Sequence, residues 1–550
     1  MRLALRLSFL PTLCLTAGVA AQGAVVGTRS NAHVTADGVF MQTTSGPAVP
    51  QPSGVSPSPT GLRWTYSQAT TRSIVNSATV GNHGTLGWLG CNLNNQRTSL
   101  FQMTEDNSPP VPVYEVLQPG TQSITVKAAD KAPVCVVATV TTAPSGMVEY
   151  YRGSSAAPAW FVGYGGYIEA VVSDDGRYVA VGFTSATNTS QVDVYDAQSS
   201  SPTTPIRTFT NTSHGFRHID ISGDGSTVLL ATNTMDHVYD VASNSLVFSA
   251  TTVSHDAHTI NGDGTVFGRA GFNPMRAWVK TGGTYQEVLT YNDTSLGFAV
   301  YTAADVSRDG STFVAAGYDA QSNERMRVQC FQLTPTGSTL LWTYASDAFG
   351  QFQDTPQAVS ISDDGKYIAV GSWGTAANDH PETLIFDRDV GATPIASVDS
   401  PGSCFDADIS GDGQFVTVGT KSVHANTFGN GGEGYGFDLG GQAHWLVGSP
   451  SVGRSIELRT GGAVGELVYV GFASGLGGPL TVPGISGTFD LDLGSFSGFL
   501  FVGSVPAGGV HSLPLNIPNL SFFVGQSLFT QAFTSTPFAF SNTLRLYLTP

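Results

Sequence analysis

Positive charge is scarce in this chain. Lys and Arg number 24 against 41 Asp and Glu, a net charge of −17. That balance disfavours nucleic acid and anionic membranes as partners, because both are gripped by Lys and Arg on phosphate. Charge of either sign is also sparse, at 12% against 41% hydrophobic residues. Disorder needs the reverse profile and is excluded. Cysteine is rare. Cys14 lies in the leader, and Cys91, Cys135, Cys330 and Cys404 are scattered over different expected strands. Buried free thiols are the expectation, with at most one disulfide. No helical period, no Gly-x-Ser-x-Gly elbow and no glycine-rich phosphate loop can be found, so an α/β hydrolase or a nucleotide-binding fold has no footing.

The N-terminus carries an address. Arg2 and Arg6 precede an apolar run from Leu7 to Val19, and Val19-Ala20-Ala21 ends on small residues before Gln22. This pattern is a secretory signal peptide spanning 1–21, too short and wrongly flanked for a membrane span. Its removal takes two arginines and brings the net charge from −17 to −19. No later stretch is long and apolar enough to cross a bilayer, so the expected location is secreted or extracytoplasmic, in the periplasm or at the cell surface. Residues 22–60 follow as an N-terminal segment with a Pro/Ser-rich linker.

A returning turn organises what comes next. Ser-Asp-Asp-Gly stands at Ser173–Gly176, Ser-Gly-Asp-Gly at Ser222–Gly225 and Asn-Gly-Asp-Gly at Asn261–Gly264. Ser-Arg-Asp-Gly follows at Ser307–Gly310, Ser-Asp-Asp-Gly at Ser362–Gly365 and Ser-Gly-Asp-Gly at Ser410–Gly413. Apolar runs flank each turn, as in Tyr178-Val-Ala-Val-Gly182, and Asp-Gly between such runs marks a hairpin. A third strand ends in Val/Ile-x-aromatic-Asp, as at Val194-Tyr195-Asp196 and Ile385-Phe386-Asp387. A fourth fits the remainder, for example Ile206–Phe209. Two fainter copies precede these six, around Asn82–Phe101 and Ile124–Tyr150. Taking the turns at Gly84, Ala132, Gly176, Gly225, Gly264, Gly310, Gly365 and Gly413, the spacings are 48, 44, 49, 39, 46, 55 and 48. Four short strands every ~40–50 residues point to a β-propeller. A lone sheet of this kind leaves faces and rims bare, and radial stacking into a closed circle covers them. Leu62-Arg-Trp-Thr-Tyr66, resembling Leu341–Tyr344, is the expected outer strand of the last blade, joining the two ends.

The Ser-x-Asp-Gly-x-x-hydrophobic-Ala-x-Gly pattern followed by Val-x-Tyr-Asp resembles the WD40/YVTN class of secreted bacterial propeller repeats. The likeness covers residues 160–440 well and 70–155 poorly. It implies an all-β propeller over 61–446, with eight blades expected and seven the alternative, and leaves function open because such rings host many activities. Charge thins after Leu439. Residues 447–550 read as short strands between Gly/Pro turns, a small β-sandwich. They resemble the sandwich tails of large secreted bacterial proteins through Gly448–Gly453 and Ser541–Leu544, which implies sorting or surface attachment.

The first strands of the copies align Val171, Asp220, Thr259, Asp305, Ser360 and Asp408. Asp220, Asp305 and Asp408 are the candidate site, converging on the central channel to hold a ligand or a cation. Channel positions are also wet and polar for purely structural reasons. Asp406-Ala-Asp408 opens like a calcium loop, but its twelfth position is Thr417 where Glu is needed. His214 with His218 and His255 with His258 form pairs without a third zinc ligand. Seven tryptophans, Trp64, Trp88, Trp160, Trp278, Trp342, Trp373 and Trp445, read as packing aromatics. No catalytic residue is assigned, and no cofactor is expected, a divalent cation such as calcium being the one left open. The favoured role is an exported, non-catalytic platform for a protein, glycan or small ligand. The alternatives are a lactonase-like hydrolase using a channel-bound divalent cation, and a structural component of the cell surface.

Overall fold

The computed structural model describes residues 62–548. It omits 68–72, 83, 94–96, 105–111, 142–144, 185–188, 212–214, 252–256, 273, 296–298, 321–325, 347–352, 377–379, 401, 425–430, 440–443, 448–451, 454, 507–509, 524–525 and 537. The signal-peptide and linker expectations for 1–21 and 22–60 fall outside these residues, as do His214 and His255.

The described chain is nearly all antiparallel β-sheet, and the one helical element among the described residues is a short 3-10 turn at Ser521–Phe523. Four-stranded sheets follow one another as I (73–119), II (121–164), III (168–211), IV (216–251), V (257–291), VI (299–345) and VII (356–398). Sheet VIII combines 404–438 with the strand Leu62–Ser67. In sheets I to VII the strands lie in simple up-and-down order. Leu62–Ser67 pairs antiparallel with Glu433–Asp438, Tyr66 opposite Gly434, so the N-terminal strand completes the last sheet of the series. The faint copies at the start form sheets I and II, with the same four-strand order as the others.

The first strands are Ser73–Gly81, Thr121–Ala128, Ile168–Val172, Phe216–Ile221, Ala257–Ile260, Ala299–Val306, Pro356–Ile361 and Cys404–Ile409. Each packs against leading strands of the sheet before it, and Ser73–Gly81 packs against Cys404–Ile409 and Phe415–Thr420 of sheet VIII. The order of neighbours therefore returns to its start, a propeller-like arrangement. A sheet with neighbours on both sides must be apolar on both faces, which is why Tyr178–Gly182 reads as a continuous run rather than an alternating one. Between sheets IV and V, for example, Leu229, Val238, Ile260, Phe267, Trp278 and Tyr285 form one buried cluster. Between VII and VIII the equivalent cluster includes Ala369, Ile385, Ala407, Val418 and Phe437.

The recurring turn has a fixed geometry. In sheet IV the Ser222 hydroxyl donates to Asp224 at 2.6 Å and accepts the Thr227 N–H at 3.0 Å. Asp224 also accepts the Ser226 N–H at 2.9 Å, and Gly225 turns through φ 73°. Ser, Asp and Gly are thus each required by one bond or one dihedral, while the side chain of the second residue takes part in none of these bonds within the turn.

The remaining strands begin with His444–Val447, which straddles the expected boundary at 446/447 and pairs with Ser455–Gly461, which in turn pairs with Val510–Asn516. A second sheet orders Phe499–Ser504, Leu467–Ala473, Ser527–Ser535 and Phe538–Tyr547. Ile456 and Leu458 of the first sheet share one buried cluster with Val468, Val470, Ala532 and Leu546 of the second. A hairpin of Leu476–Thr481 and Thr488–Leu491 lies beside them. Among the described residues no helix is long and apolar enough to cross a membrane. Cys91, Cys135, Cys330 and Cys404 are buried and free. Burial pushes the Cys330 thiol up to about 12, so it is protonated at neutral pH.

Candidate functional site

Alignment on the turn places Asp220, Asp305 and Asp408 at one position of the first strands of sheets IV, VI and VIII, as the repeat implied. The carboxylates do not simply face the axis. Each reaches the next sheet. Asp220 accepts the Ile260 N–H at 3.0 Å, Asp305 the Ile361 N–H at 3.0 Å, and Asp408 the Val80 N–H at 3.0 Å. Hydroxyls do the same work where the position is Thr or Ser. Thr79 accepts the Ala128 N–H at 3.2 Å, Thr259 the Val306 N–H at 3.3 Å, and Ser360 the Ile409 N–H at 3.2 Å. The acids and hydroxyls also bond each other, Thr259 donating to Asp305 at 2.9 Å, Ser360 to Asp408 at 2.6 Å and Thr79 to Asp408 at 2.8 Å. The first strand of a sheet offers N–H groups along its open edge, and a short acceptor one strand away satisfies them.

A second tier lies two residues earlier. Asp406 accepts the Ala78 N–H at 3.0 Å, Ser77 accepts the Val126 N–H at 3.1 Å, and Glu169 accepts the Ile219 N–H at 3.2 Å. Glu169 also holds His218 Nδ1 at 3.1 Å, and His218 Nε2 meets the His258 carbonyl at 3.1 Å. His258 Nε2 lies 2.9 Å from Asp236, which pairs with the Arg269 guanidinium over the Trp278 ring. His218 and His258 stand inside strands and are buried, at 2% and 0% exposure, rather than at a surface mouth. Burial opposes charge on His218, but the Glu169 carboxylate outweighs it and raises the imidazole. Burial likewise opposes ionisation of Asp236, and His258 with Arg269 overcomes it and holds the carboxyl low.

Two cations of the chain itself stand among the acids of the repeats. Lys127 occupies the aligned position of sheet II, and its ammonium acts on Asp406 and His218. Burial raises the Asp406 carboxyl to about 7, Lys127 draws it down, and Asp408 pushes it up. The second is Arg308, the variable residue of the Ser307–Gly310 turn. Its guanidinium pairs with Asp130 of sheet II and Asp174 of sheet III, and lies 3.6 Å from Asp363 of sheet VII. The variable positions of the turns therefore meet at one end of the cycle of sheets. Neighbouring turns bond there too, Asp224 N–H to the Gly262 carbonyl at 2.9 Å and Asp363 N–H to that of Gly411 at 2.7 Å. Gly223 and Gly411 stand in this crowding: a Cβ on Gly223 would run into the Asp174 carboxylate, and one on Gly411 would stand 2.8 Å from that of Asp363.

Another buried pair lies between sheets VII and VIII. Glu382 accepts the Ser400 N–H at 2.7 Å and faces His424 Nδ1 at 2.9 Å. Burial raises the Glu382 carboxyl, against the pull of His424. Nothing in the repeat pattern marks these two, because both lie outside the shared turn and strand positions. Arg308 and Lys127 carried a faint signal, each a basic residue at a position otherwise small or acidic. Among the described residues no group of three or more His, Cys, Asp or Glu is placed to hold a metal ion. No protein-family model matches the chain, and no curated protein matches it either.

Proposed function

We propose that the chain is an exported eight-bladed β-propeller with a C-terminal β-sandwich, working as a non-catalytic platform that presents loops to a protein, glycan or small ligand. The observation that supports this most is the use of the aligned acids. Asp220, Asp305 and Asp408 each have oxygens engaged by the backbone of the next sheet, so their recurrence has a structural cause. Lys127 and Arg308 add built-in positive charge beside the acids of the cycle. The end that bears the Ser-x-Asp-Gly turns is crossed by Arg308 and its carboxylates, which favours the opposite end for recognition.

The test is metal analysis of the purified chain beside the triple variant Asp220→Asn, Asp305→Asn, Asp408→Asn. The expected outcome is no stoichiometric divalent cation in either protein, with lowered stability in the variant. One equivalent of calcium or another divalent cation in the wild type, lost in the variant together with esterase or lactonase turnover, would instead support the hydrolase.

A further inference from the structure

Phe499–Ser504 is an edge strand. It pairs with Leu467–Ala473 on one side, and among the described residues no strand pairs with the other. Edge strands are usually blunted by Lys, Pro or inward charge. Phe-Leu-Phe-Val-Gly-Ser has none of these, and its bulge, another such device, falls at Val502, past the exposed Leu500 and Phe501. Register sets Leu500 beside Val470, which is buried, yet Leu500 is 57% exposed. Phe501, on the other face beside Tyr469, is 54% exposed. The strand is thus open and apolar on both faces. Its aromatic face continues across the sheet, with ring centroids 5.3 Å apart for Tyr469 and Phe501 and 5.9 Å for Tyr469 and Phe533. Phe538, 55% exposed, lies parallel to Phe533 at 5.9 Å. Among the described residues the edge is closed at its far end alone, where His511 Nδ1 reaches the Ser504 carbonyl at 3.2 Å.

We propose that this edge receives a second copy of the chain, the two Phe499–Val502 segments pairing antiparallel about a two-fold axis. Antiparallel pairing of a strand with itself satisfies the same N–H and C=O groups on both partners and sets apolar side chains against apolar ones. Charge selects the occupant further. Residues 447–550 hold three arginines and no lysine against four carboxylates, a net −1, leaving −16 of the chain's −17 to the rest. A charged peptide or an anionic surface finds almost no counter-charge there, whereas two copies can meet on this region with least repulsion.

Sedimentation velocity of the full chain over a wide concentration range tests this, beside Leu500→Lys and, as comparator, Leu246→Lys on the outer strand of sheet IV. Leu500 and Leu246 are 57% and 50% exposed, so neither change empties a core. The wild type and Leu246→Lys should form dimers. Leu500→Lys should weaken dimerisation on the order of a hundredfold or more, because the symmetric pairing would bury two ammonium groups. A wild type that stays monomeric throughout, or a Leu500→Lys protein that dimerises as well as the wild type, overturns the proposal. So does capture of monomeric wild type by phosphatidylcholine vesicles or by a soluble glucan, lost in Leu500→Lys, which would give the edge to a lipid or a glycan.

Discussion

The repeat region and the C-terminal strands are both antiparallel sheet, yet they are held together differently. Between successive repeat sheets an apolar cluster is crossed by side chains that accept a neighbour's backbone N–H, as Asp220, Asp305 and Asp408 do. The C-terminal sheets share one apolar cluster, and among the described residues few polar side chains cross it, His444 Nε2 meeting Thr530 at 2.9 Å among them. Apolar packing is non-directional, so stacked sheets of similar shape could slide on it. Acceptors matched to single N–H groups fix the register of one copy on the next, and a tandem array of near-identical faces has most need of that.

The sharpest way to break this contrast is to remove one buried tie in the repeats. Asp236 joins His258 of the next sheet and Arg269. Asp236→Ala leaves the guanidinium buried and unpaired, and an uncompensated buried charge costs about 3–5 kcal/mol. Urea denaturation should show that loss as a shifted midpoint. A change below about 1 kcal/mol would mean that the polar ties are incidental and that apolar packing alone holds the repeats.

Two buried groups, one from each region, answer acid with opposite sign. Asp406 keeps its proton to about 7 in the fold against 3.8 when free. Between those values the folded state carries a proton that the unfolded chain has released, so this contribution is full at low pH and is lost as pH rises through about 7. His444 runs the other way, because burial lowers it from 6.5 to about 4. There the unfolded chain binds the extra proton, so the contribution is full above 6.5 and is lost as pH falls toward 4. One pKa unit corresponds to about 1.4 kcal/mol, so each group contributes on the order of a few kcal/mol. Unfolding free energies measured across this range should lose the alkaline-side decline in Asp406→Asn and the acid-side decline in His444→Gln. Lys127→Met should steepen the former, since the ammonium holds the carboxyl down. Profiles unchanged in all three variants would remove the distinction.

These ties show what the sequence could reveal. Ser-x-Asp-Gly is legible because each of its residues answers a local demand, a hydroxyl bridge, a carboxylate acceptor and a positive φ. The pairing of Leu62–Ser67 with Glu433–Asp438 was legible because Leu62–Tyr66 copies an outer strand. The alignment of Asp220, Asp305 and Asp408 was also readable, but not the direction of their side chains. Whether an inner-strand carboxylate points to an axis or to the next sheet depends on stagger between sheets, which one strand's pattern does not encode. The partners of Arg308 were hidden for a related reason. Its partners, Asp130 and Asp174, stand 178 and 134 residues earlier, and only the return of the cycle brings them near. Glu382 and His424 sit in connections unique to one copy, where no repeat supplies a comparison.

The smallest expected effect compares one turn from each region. Ser222 is fully buried, and its hydroxyl links Asp224 to the Thr227 N–H. Ser222→Ala strands that N–H and frees the Asp224 oxygen, a loss of about 1–2 kcal/mol by the usual penalty for an unmatched buried donor. In the C-terminal region Asp492 accepts the Gly494 N–H at 3.1 Å and the Ser495 hydroxyl at 2.9 Å, a similar loop of bonds. Here the carboxylate is solvent-exposed, and water replaces whatever the side chain gives up. Thermal unfolding of Asp492→Ala should therefore be indistinguishable from wild type while Ser222→Ala melts lower. The two turns share their hydrogen-bond pattern, so the difference isolates burial between neighbouring sheets as the source of the motif's stabilising effect. If both variants melt together, the turn works by local geometry alone, and its repetition owes nothing to the sheet beside it.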